Sequence, residues 1–575
     1  MTINPIFLTD SYKLSHIRFE SKGVQEIYSN FTPRFTKYFE AEYTDFDGNI
    51  VWFGLQYALK TIHDLWDQNF FKQDKATVIQ QARRVLMPYI GMDNLKHFEA
   101  LHDLGHLPIV VRSLPEGSLV TKGIPCFTIK NTDPNFQWLP NYLETILSAQ
   151  LWKPMTVATV SRQFRLLSNE YALKTNGTTD GTEFQNHDFS FRGQSGWESS
   201  AINGAAFLLS SWGTDNIPAL WALETYYNAN IENEPIAFSV PAGEHSVTTL
   251  GITIKNSEDY AKGEEEFLKE IITEKFPSGI VSYVADSYDY WNVVTNIVPT
   301  LKQDILNREG KLVIRGDSGD PVDIICGTFQ SQGSFASEAE AIAAFEEEAR
   351  DYLADNADSE GYADSIGYEV IIDSKPANLI FNARIDCARV SMTDEKVYSF
   401  SGITKIDVEY VELTPEAKGT IQCLWETFGG TVNSEGYKVL DSHIGMIYGD
   451  GITHKRAKQI FKRLAQKGFS SINIVYGVGS YSLNVLSRDH LGSAVKATNA
   501  VVNGTSVPIY KAPKTDISKK SAKGLLQVVQ QGSKFVLVDN VTVEEENQSV
   551  LTPVYLNGEF LNQTSLSEVR KLLWS

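Results

Sequence analysis

The chain has 575 residues, 42% of them hydrophobic, which is ample for a large core and too long for one compact domain. Its formal net charge of −20 argues against non-specific nucleic-acid binding, which needs a basic face. No apolar run is long enough to span a membrane, and Met1-Thr2-Ile3-Asn4-Pro5 lacks the basic-then-apolar profile of a signal peptide.

In chain order, Ile27–Phe31 reads as a strand, 76–88 as a helix, and 107–114 as a strand closed by the turn Pro115-Glu116-Gly117. Trp138 to Gln150 has the pattern of a buried helix, and a second helix is expected from Thr156 to Lys174. From about 180 to 320, and again from 441 to 490, short apolar runs alternate with helical stretches. That alternation marks repeated βα units and a parallel sheet. One unit is legible throughout: strand 444–448, Gly449-Asp450-Gly451, a helix capped by Thr453 with Ala457, Ile460, Phe461 and Leu464 on its apolar face, a stop at Gly468, then strand 471–476. Residues 326–440 break the rhythm. They carry 21 Asp/Glu against 8 Lys/Arg, a net of −13 that leaves −7 for all the rest, and include an acidic helix near 337–354. They read as an inserted subdomain. The tail, 495–575, returns to strand-like runs such as Phe535–Val538 and is expected to join the N-terminal domain. Cys126, Cys326, Cys387 and Cys423 are scattered without CxxC spacing, so neither a disulfide framework nor a zinc site is expected and a reducing cytosol fits.

Five apolar runs end in clusters of chemically active residues. Ala237–Val240 runs into Pro241-Ala242-Gly243-Glu244-His245-Ser246, Ile280–Ala285 into Asp286-Ser287-Tyr288-Asp289, and Leu312–Ile314 into Arg315-Gly316-Asp317-Ser318-Gly319-Asp320. Ile444–Tyr448 runs into Gly449-Asp450-Gly451, and Ile472–Tyr476 into Gly477-Val478-Gly479-Ser480. In a barrel of parallel strands such positions share one mouth, where the chemistry sits. Arg315 offers a rigid fork of donors suited to phosphate, and Asp317 and Asp320 suit ribose hydroxyls or Mg²⁺; the bland reading is a turn with a surface ion pair. Arg315-Gly316-Asp317 is not an integrin ligand, since it follows a strand of buried character in a chain with cytosolic features. The glycine loops expose backbone N–H groups to phosphate, although Gly477-Val478-Gly479 is not a dinucleotide-binding fingerprint. His245 reads either as a structural histidine or as a reacting group. His187-Asp188-Phe189-Ser190-Phe191-Arg192 reads either as core plus surface Arg or as a stacking platform beside an anion site. Asp10-Ser11-Tyr12-Lys13 and the basic run Lys511, Lys519, Lys520, Lys523 have equally plain readings as a cap and a solvated face.

Together the motifs resemble the nicotinamide phosphoribosyltransferases, a type II phosphoribosyltransferase family. The resemblance rests on Thr9–Lys13, Phe53–Tyr57, Gly105–Pro108, Asn131–Pro134, His187-Asp188-Phe189, Gly213-Thr214-Asp215, Ser239–Ala242, Glu244-His245-Ser246, Asp286–Asp289, Asp317-Ser318-Gly319, Gly449-Asp450-Gly451 and, after the interruption, Asn433–Lys438. It implies an irregular α/β barrel beside a mixed α/β sandwich domain built from both chain ends. Residues 1–155 and 493–575 would form the sandwich, 156–325 and 441–492 the barrel, and 326–440 the acidic insertion. It further implies a cytoplasmic homodimer with shared active sites, using nicotinamide and phosphoribosyl pyrophosphate, Mg²⁺, and ATP as a coupled co-substrate. By position, Phe189 and Tyr12 of the partner subunit would sandwich the pyridine ring, and Asp215 would accept from the carboxamide. Arg192, Arg315 and His245 would hold pyrophosphate, with Arg34, Lys496 and Lys511 completing the cluster. Asp286 and Asp317 would contact ribose or Mg²⁺, and Ser282 the substrate. Gly449, Asp450, Gly479, Ser480 and Arg488 would take the 5′-phosphate end, and His245 would be the phosphorylated histidine. His245, Asp286, Asp317 and Arg315 are thus the expected catalytic set. The chain departs from the pattern in the glycine-poor Gly477–Tyr481 loop, in Gly316 where the family has Pro, in Phe184 where Tyr is common, and in the length of 326–440. Two alternatives remain open: a nicotinate phosphoribosyltransferase, and a non-catalytic relative that binds nucleotide or a partner through the insertion.

Overall fold

The structure is a computed structural model; it describes residues 3–357, 364–390, 392, 395–449, 451–515 and 520–575. Two sheets organise the molecule. The first is a seven-stranded, wholly antiparallel sheet in the order Thr505–Pro508, Ala494–Val502, Val24–Thr32, Phe127–Asn131, Ile109–Ser113, Thr552–Leu556, Glu559–Phe560. Both chain ends therefore contribute to one layer. The Leu525–Gln531 and Lys534–Val541 strands do not join it; among the described residues they pair only with each other.

The second sheet is parallel, in the order Gly213–Thr214, Asn186–Asp188, Ile474–Val478, Ile444–Tyr448, Glu309–Gly316, Ser278–Val284. Its longer strands, such as Ile444–Tyr448 and Ile474–Val478, read as apolar runs because helices cover them, as parallel sheets require; Asn186–Asp188 and Gly213–Thr214 do not. The segment expected as a strand at 237–240 forms no ladder. It makes one bridge from Phe238 to Gly213, and Ala242 bridges to Ser282. Pro241, which has no N–H to donate, lies between them, so the segment closes the gap between the two outer strands by isolated contacts. Thr214 N bonds Phe238 O (3.0 Å), and Gly243 N bonds Ser282 O (3.2 Å). The result is an irregular barrel.

The two helices expected at 138–150 and 156–174 are replaced by one, Glu144–Asn176, which passes through Pro154. Its flanks are buried across the join, including Leu151, Met155, Val157 and Val160, so tertiary packing overrides the local cost of proline. The helix ends at Gly177 with φ 73°, a left-handed cap. The strand and helix of the βα unit after 444 form as expected: Thr453 accepts from Arg456 N, and Ala457, Ile460, Phe461 and Leu464 lie on the buried face of the His454–Gln466 helix. The strand expected at 471–476 instead runs Ile474–Val478, after a short turn at Ser471–Asn473.

The insertion folds on itself. Ser334–Phe335, Ser365–Ile372, Lys375–Arg389 and Lys396–Tyr410 form a four-stranded sheet covered by the Glu338–Ala357 helix. Ala341, Ala349, Leu353, Val370, Leu379 and Phe381 make a core separate from that of the barrel. Asp373 and Ser374 (φ 48° and 64°) turn one hairpin in the left-handed conformation that two-residue hairpins favour. The Thr420–Phe428 helix, within 326–440, instead places Ile421, Cys423 and Leu424 in the main core. The self-contained piece thus spans 334–410.

Candidate active site

The register of the parallel sheet sets the site. Thr214 pairs with Asp188, Asp188 with Val478, Tyr448 with both Tyr476 and Gly316, and Val284 with Arg315. The strand ends form one rim. The residues just beyond it, Phe189, Asp215, Asp286, Asp317, Gly449 and Gly479, therefore converge without any help from loop length. A cavity of about 730 Å³ opens there. It is lined by Phe189, Arg192, Asp215, Arg315, Asp317, Gly449, Gly479 and Ser480, with Asp188, Phe191, Gly193, Ala242, Gly243 and Glu244.

Asp215 accepts from His187 Nε2 (2.8 Å) and from Ser239 Oγ (2.6 Å), both on Oδ1. Burial pushes its carboxyl up, but these hydrogen bonds outweigh burial and hold it below its usual value, so it is a carboxylate at neutral pH. The His187 ring also packs on Phe189, with centroids 4.7 Å apart. Phe189 lies flat against the barrel because Gly477 makes room: a Cβ there would stand 2.3 Å from Phe189 Cδ2. Asp188, directly beneath, is fully buried. Burial raises its carboxyl, and bonds from Ser190 N (2.8 Å) and Asn216 Nδ2 (3.2 Å) oppose the rise.

His245 begins the His245–Lys255 helix, and its Nε2 bonds Asp286 Oδ1 (3.0 Å). A carboxylate only accepts, so Nε2 carries the proton and Nδ1 keeps the lone pair in the neutral ring. Asp286 Oδ2 accepts from Asp317 N (3.2 Å), tying the two strand-end loops together. Arg315 Nη2 lies 3.6 Å from Asp317 Oδ2, while Arg315 Nε is buried with no hydrogen-bond partner among the described residues. Such a donor is costly unless a ligand supplies the acceptor. Gly449 gives Asp317 its space, since a Cβ would come 2.3 Å from Asp317 Oδ1. Ser282 accepts at its carbonyl from Gly243 N and sits at the edge of this group.

The remaining expected residues lie elsewhere on the chain. Tyr12 is 60% exposed, and its hydroxyl bonds Asp10 Oδ2 (3.3 Å). Lys496 bonds Glu144 Oε1 (3.0 Å), Lys13 pairs with the other oxygen of Glu144, and Arg34 Nε bonds Gly492 O (2.8 Å). The charges of Glu144 and Arg488 act on both Tyr12 and Arg34, so these residues form a second, mostly cationic patch. Lys511 is tied by its backbone to Ser521. None of the five lines the cavity of its own chain. Asp450 and Lys519 fall outside the described residues. Sequence reasoning missed Ser239, Glu244 and the bond from His187 to Asp215. Their marks in the sequence are the motifs that carry the family resemblance and, for Glu244, its place just after Ala237–Val240.

A parallel barrel with charged and aromatic side chains gathered at its strand ends is the architecture of an α/β-barrel enzyme. A model of the nicotinate phosphoribosyltransferase (NAPRTase) family matches residues 184–350 and 407–559, and the gap between them, 351–406, lies within the sequence of the insertion. A nicotinamide phosphoribosyltransferase of Acinetobacter baylyi is 38% identical over 99% of this chain and 97% of its own length. Another, of Xanthomonas campestris pv. campestris, is 28% identical over 81% of this chain and 79% of its own length. Human nicotinic acid phosphoribosyltransferase superposes with a TM-score of 0.46 and 16% identity, covering 99% of this chain and 93% of that one. The chain belongs to the nicotinate phosphoribosyltransferase family.

Proposed function

We propose that the enzyme transfers the phosphoribosyl group of phosphoribosyl pyrophosphate to the ring nitrogen of nicotinamide, giving nicotinamide mononucleotide and pyrophosphate for NAD salvage. One observation carries the reading. A carboxylate with no proton to donate, Asp215, stands beside the Phe189 ring in the same cavity as the unsatisfied donor Arg315. The ring would stack on Phe189 while its carboxamide NH₂ donates to Asp215. A nicotinate carboxylate would meet like charge there. The relatives named as nicotinamide phosphoribosyltransferases support the same choice.

The chemistry is then mostly alignment and electrostatics. The pyridine nitrogen is already nucleophilic and needs no base. As the bond from ribose to pyrophosphate breaks, positive charge grows on the sugar and negative charge on the leaving group. Arg315 and Arg192 receive the leaving charge, and Asp317 with Asp286 faces the sugar. The donor set suits Mg²⁺: two carboxylates complemented by substrate phosphates are its usual protein share, and when bound it would neutralise leaving-group charge. ATP coupling fits His245, whose Nδ1 lone pair can take the γ-phosphoryl group as ADP leaves, with Asp286 holding the ring through Nε2.

A homodimer with shared sites accounts for the second patch: Tyr12, Arg34, Arg488 and Lys496 would complete the cavity of a second copy. Val247, Leu250 and Ile254, exposed along the helix that begins at His245, offer the apolar surface such contact needs. The test is product formation from nicotinamide and from nicotinate, each with phosphoribosyl pyrophosphate. A preference for nicotinate overturns the substrate, and no pyrophosphate release from either leaves a non-catalytic relative. Mixing inactive Asp317→Asn and Tyr12→Ala proteins should restore activity through the one intact site of the mixed dimer; no recovery would separate the reaction from the shared-site reading.

A further inference from the structure

The Ser480–Asn484 turn that follows Gly479 is pinned from three directions. Ser482 Oγ donates to Ile452 O (2.7 Å), Asn484 Nδ2 donates to Gly193 O, and Lys153 Nζ donates to Leu483 O. Two of these partners belong to loops that themselves border the cavity, after Gly449 and around Arg192. The third is different in kind. Lys153 comes from the long Glu144–Asn176 helix, between Trp152 and Pro154, where the chain is held rigidly: Pro154 is buried and packs on Gly54, where a Cβ would be 3.0 Å from Pro154 Cγ.

A cation brought into such a place ordinarily has a carboxylate beside it. Among the described residues no carboxylate forms an ion pair with Lys153; its ammonium meets a carbonyl, and it lies 5.3 Å from the centre of the Trp152 ring. Burial pushes the lysine down to about 8, with no opposing charge to restore it. The missing counter-charge and the grip on the 480–484 turn point the same way. Gly479 and Ser480, which that turn holds in place, line the cavity.

We infer that Lys153 is a positioning residue: through Leu483 it holds the Gly479–Ser480 loop, and its uncompensated charge favours an anion, the 5′-phosphate of the ribose moiety, on the far side of that loop. The inference rests on the proposed reaction in assigning the loop to the phosphate end. It assigns to the helix at 144–176, which the functional motifs leave out, a part in substrate affinity.

The test uses Lys153→Met, which keeps the stem and removes the charge, and Lys153→Arg, which keeps the charge. KM for phosphoribosyl pyrophosphate and kcat are measured on the full chain, and ribose 5-phosphate binding is measured by calorimetry without catalysis. A charge-assisted contact predicts that Lys153→Met raises both KM and the ribose 5-phosphate Kd about tenfold or more, with kcat and the KM for nicotinamide nearly unchanged. Lys153→Arg recovers most of the affinity. Unchanged ribose 5-phosphate affinity in Lys153→Met overturns the inference. So does an equal loss of affinity in Lys153→Arg, which a merely structural role predicts. If the wild-type protein turns over no base yet binds ribose 5-phosphate in a Lys153-dependent way, the proposed reaction falls and the positioning role stands.

Discussion

Asp215→Asn is the most informative single substitution. The carboxylate already accepts from His187 and Ser239, and an asparagine oxygen can keep those bonds, so the local structure should persist. What changes is charge. A nicotinate carboxylate about 4 Å from Asp215 would be repelled by roughly 4 kcal/mol at the effective dielectric of a protein surface. The Asp215 side chain is 45% exposed, so water screens part of this and about 2 kcal/mol remains. Removing the charge should therefore raise kcat/KM for nicotinate relative to nicotinamide by about 30-fold. The assay is competition between the two bases at fixed phosphoribosyl pyrophosphate, with both mononucleotides separated chromatographically. A ratio that stays constant between wild type and variant refutes the role given to Asp215.

Three further outcomes follow from geometry. His245→Ala should abolish stimulation by ATP while leaving most basal turnover, because the Asp286 bond to Asp317 N survives; equal loss of both would make His245 a pyrophosphate ligand only. Gly449→Ala drives a methyl into Asp317 Oδ1 and should lower kcat at least about tenfold with little change in melting temperature, and normal turnover would mean that Asp317 is free to move. Glu264, buried against the Tyr283 hydroxyl (3.0 Å), is raised to about 7 by burial. Its folded value lies above its unfolded one, so stability is greatest below the unfolded value and falls as pH rises from about 4.5 through 7, by up to about 3 kcal/mol. Glu264→Gln should flatten that slope in urea melts across this range; parallel curves for the two proteins would contradict it.

The strand-end residues were legible in the sequence because a parallel strand leaves a plain mark, an apolar run that stops abruptly, and the next residue falls on the rim by register. Asp317, Gly449 and Gly479 are read this way, Phe189 and Asp215 only from the aromatic motif and the family resemblance, and all five line one cavity. Contacts that depend on how segments cross were not legible. Ser239 reaches Asp215 because a ladderless segment closes the barrel, and nothing local distinguishes that segment from a strand. The sequence pattern gives two helices, 138–150 and 156–174; only the packing on both sides of Pro154 shows why one helix runs through. The insertion's acidity and helix are visible, but its far edge is not, because the 420–428 helix lies within the acidic stretch of sequence yet packs in the main core.

Where the insertion leaves and rejoins the barrel, the two strands of chain touch. Thr328 N bonds Glu416 O (3.0 Å) and Phe329 N bonds Ala417 O (3.2 Å). Gly327 and Gly419 lie so close that a side chain on either would strike the other's backbone. Topologically the whole four-stranded unit is an excursion from one doorway. A descendant of this chain can lengthen, exchange or discard it without rethreading a single barrel strand, as long as two glycines stay at the door.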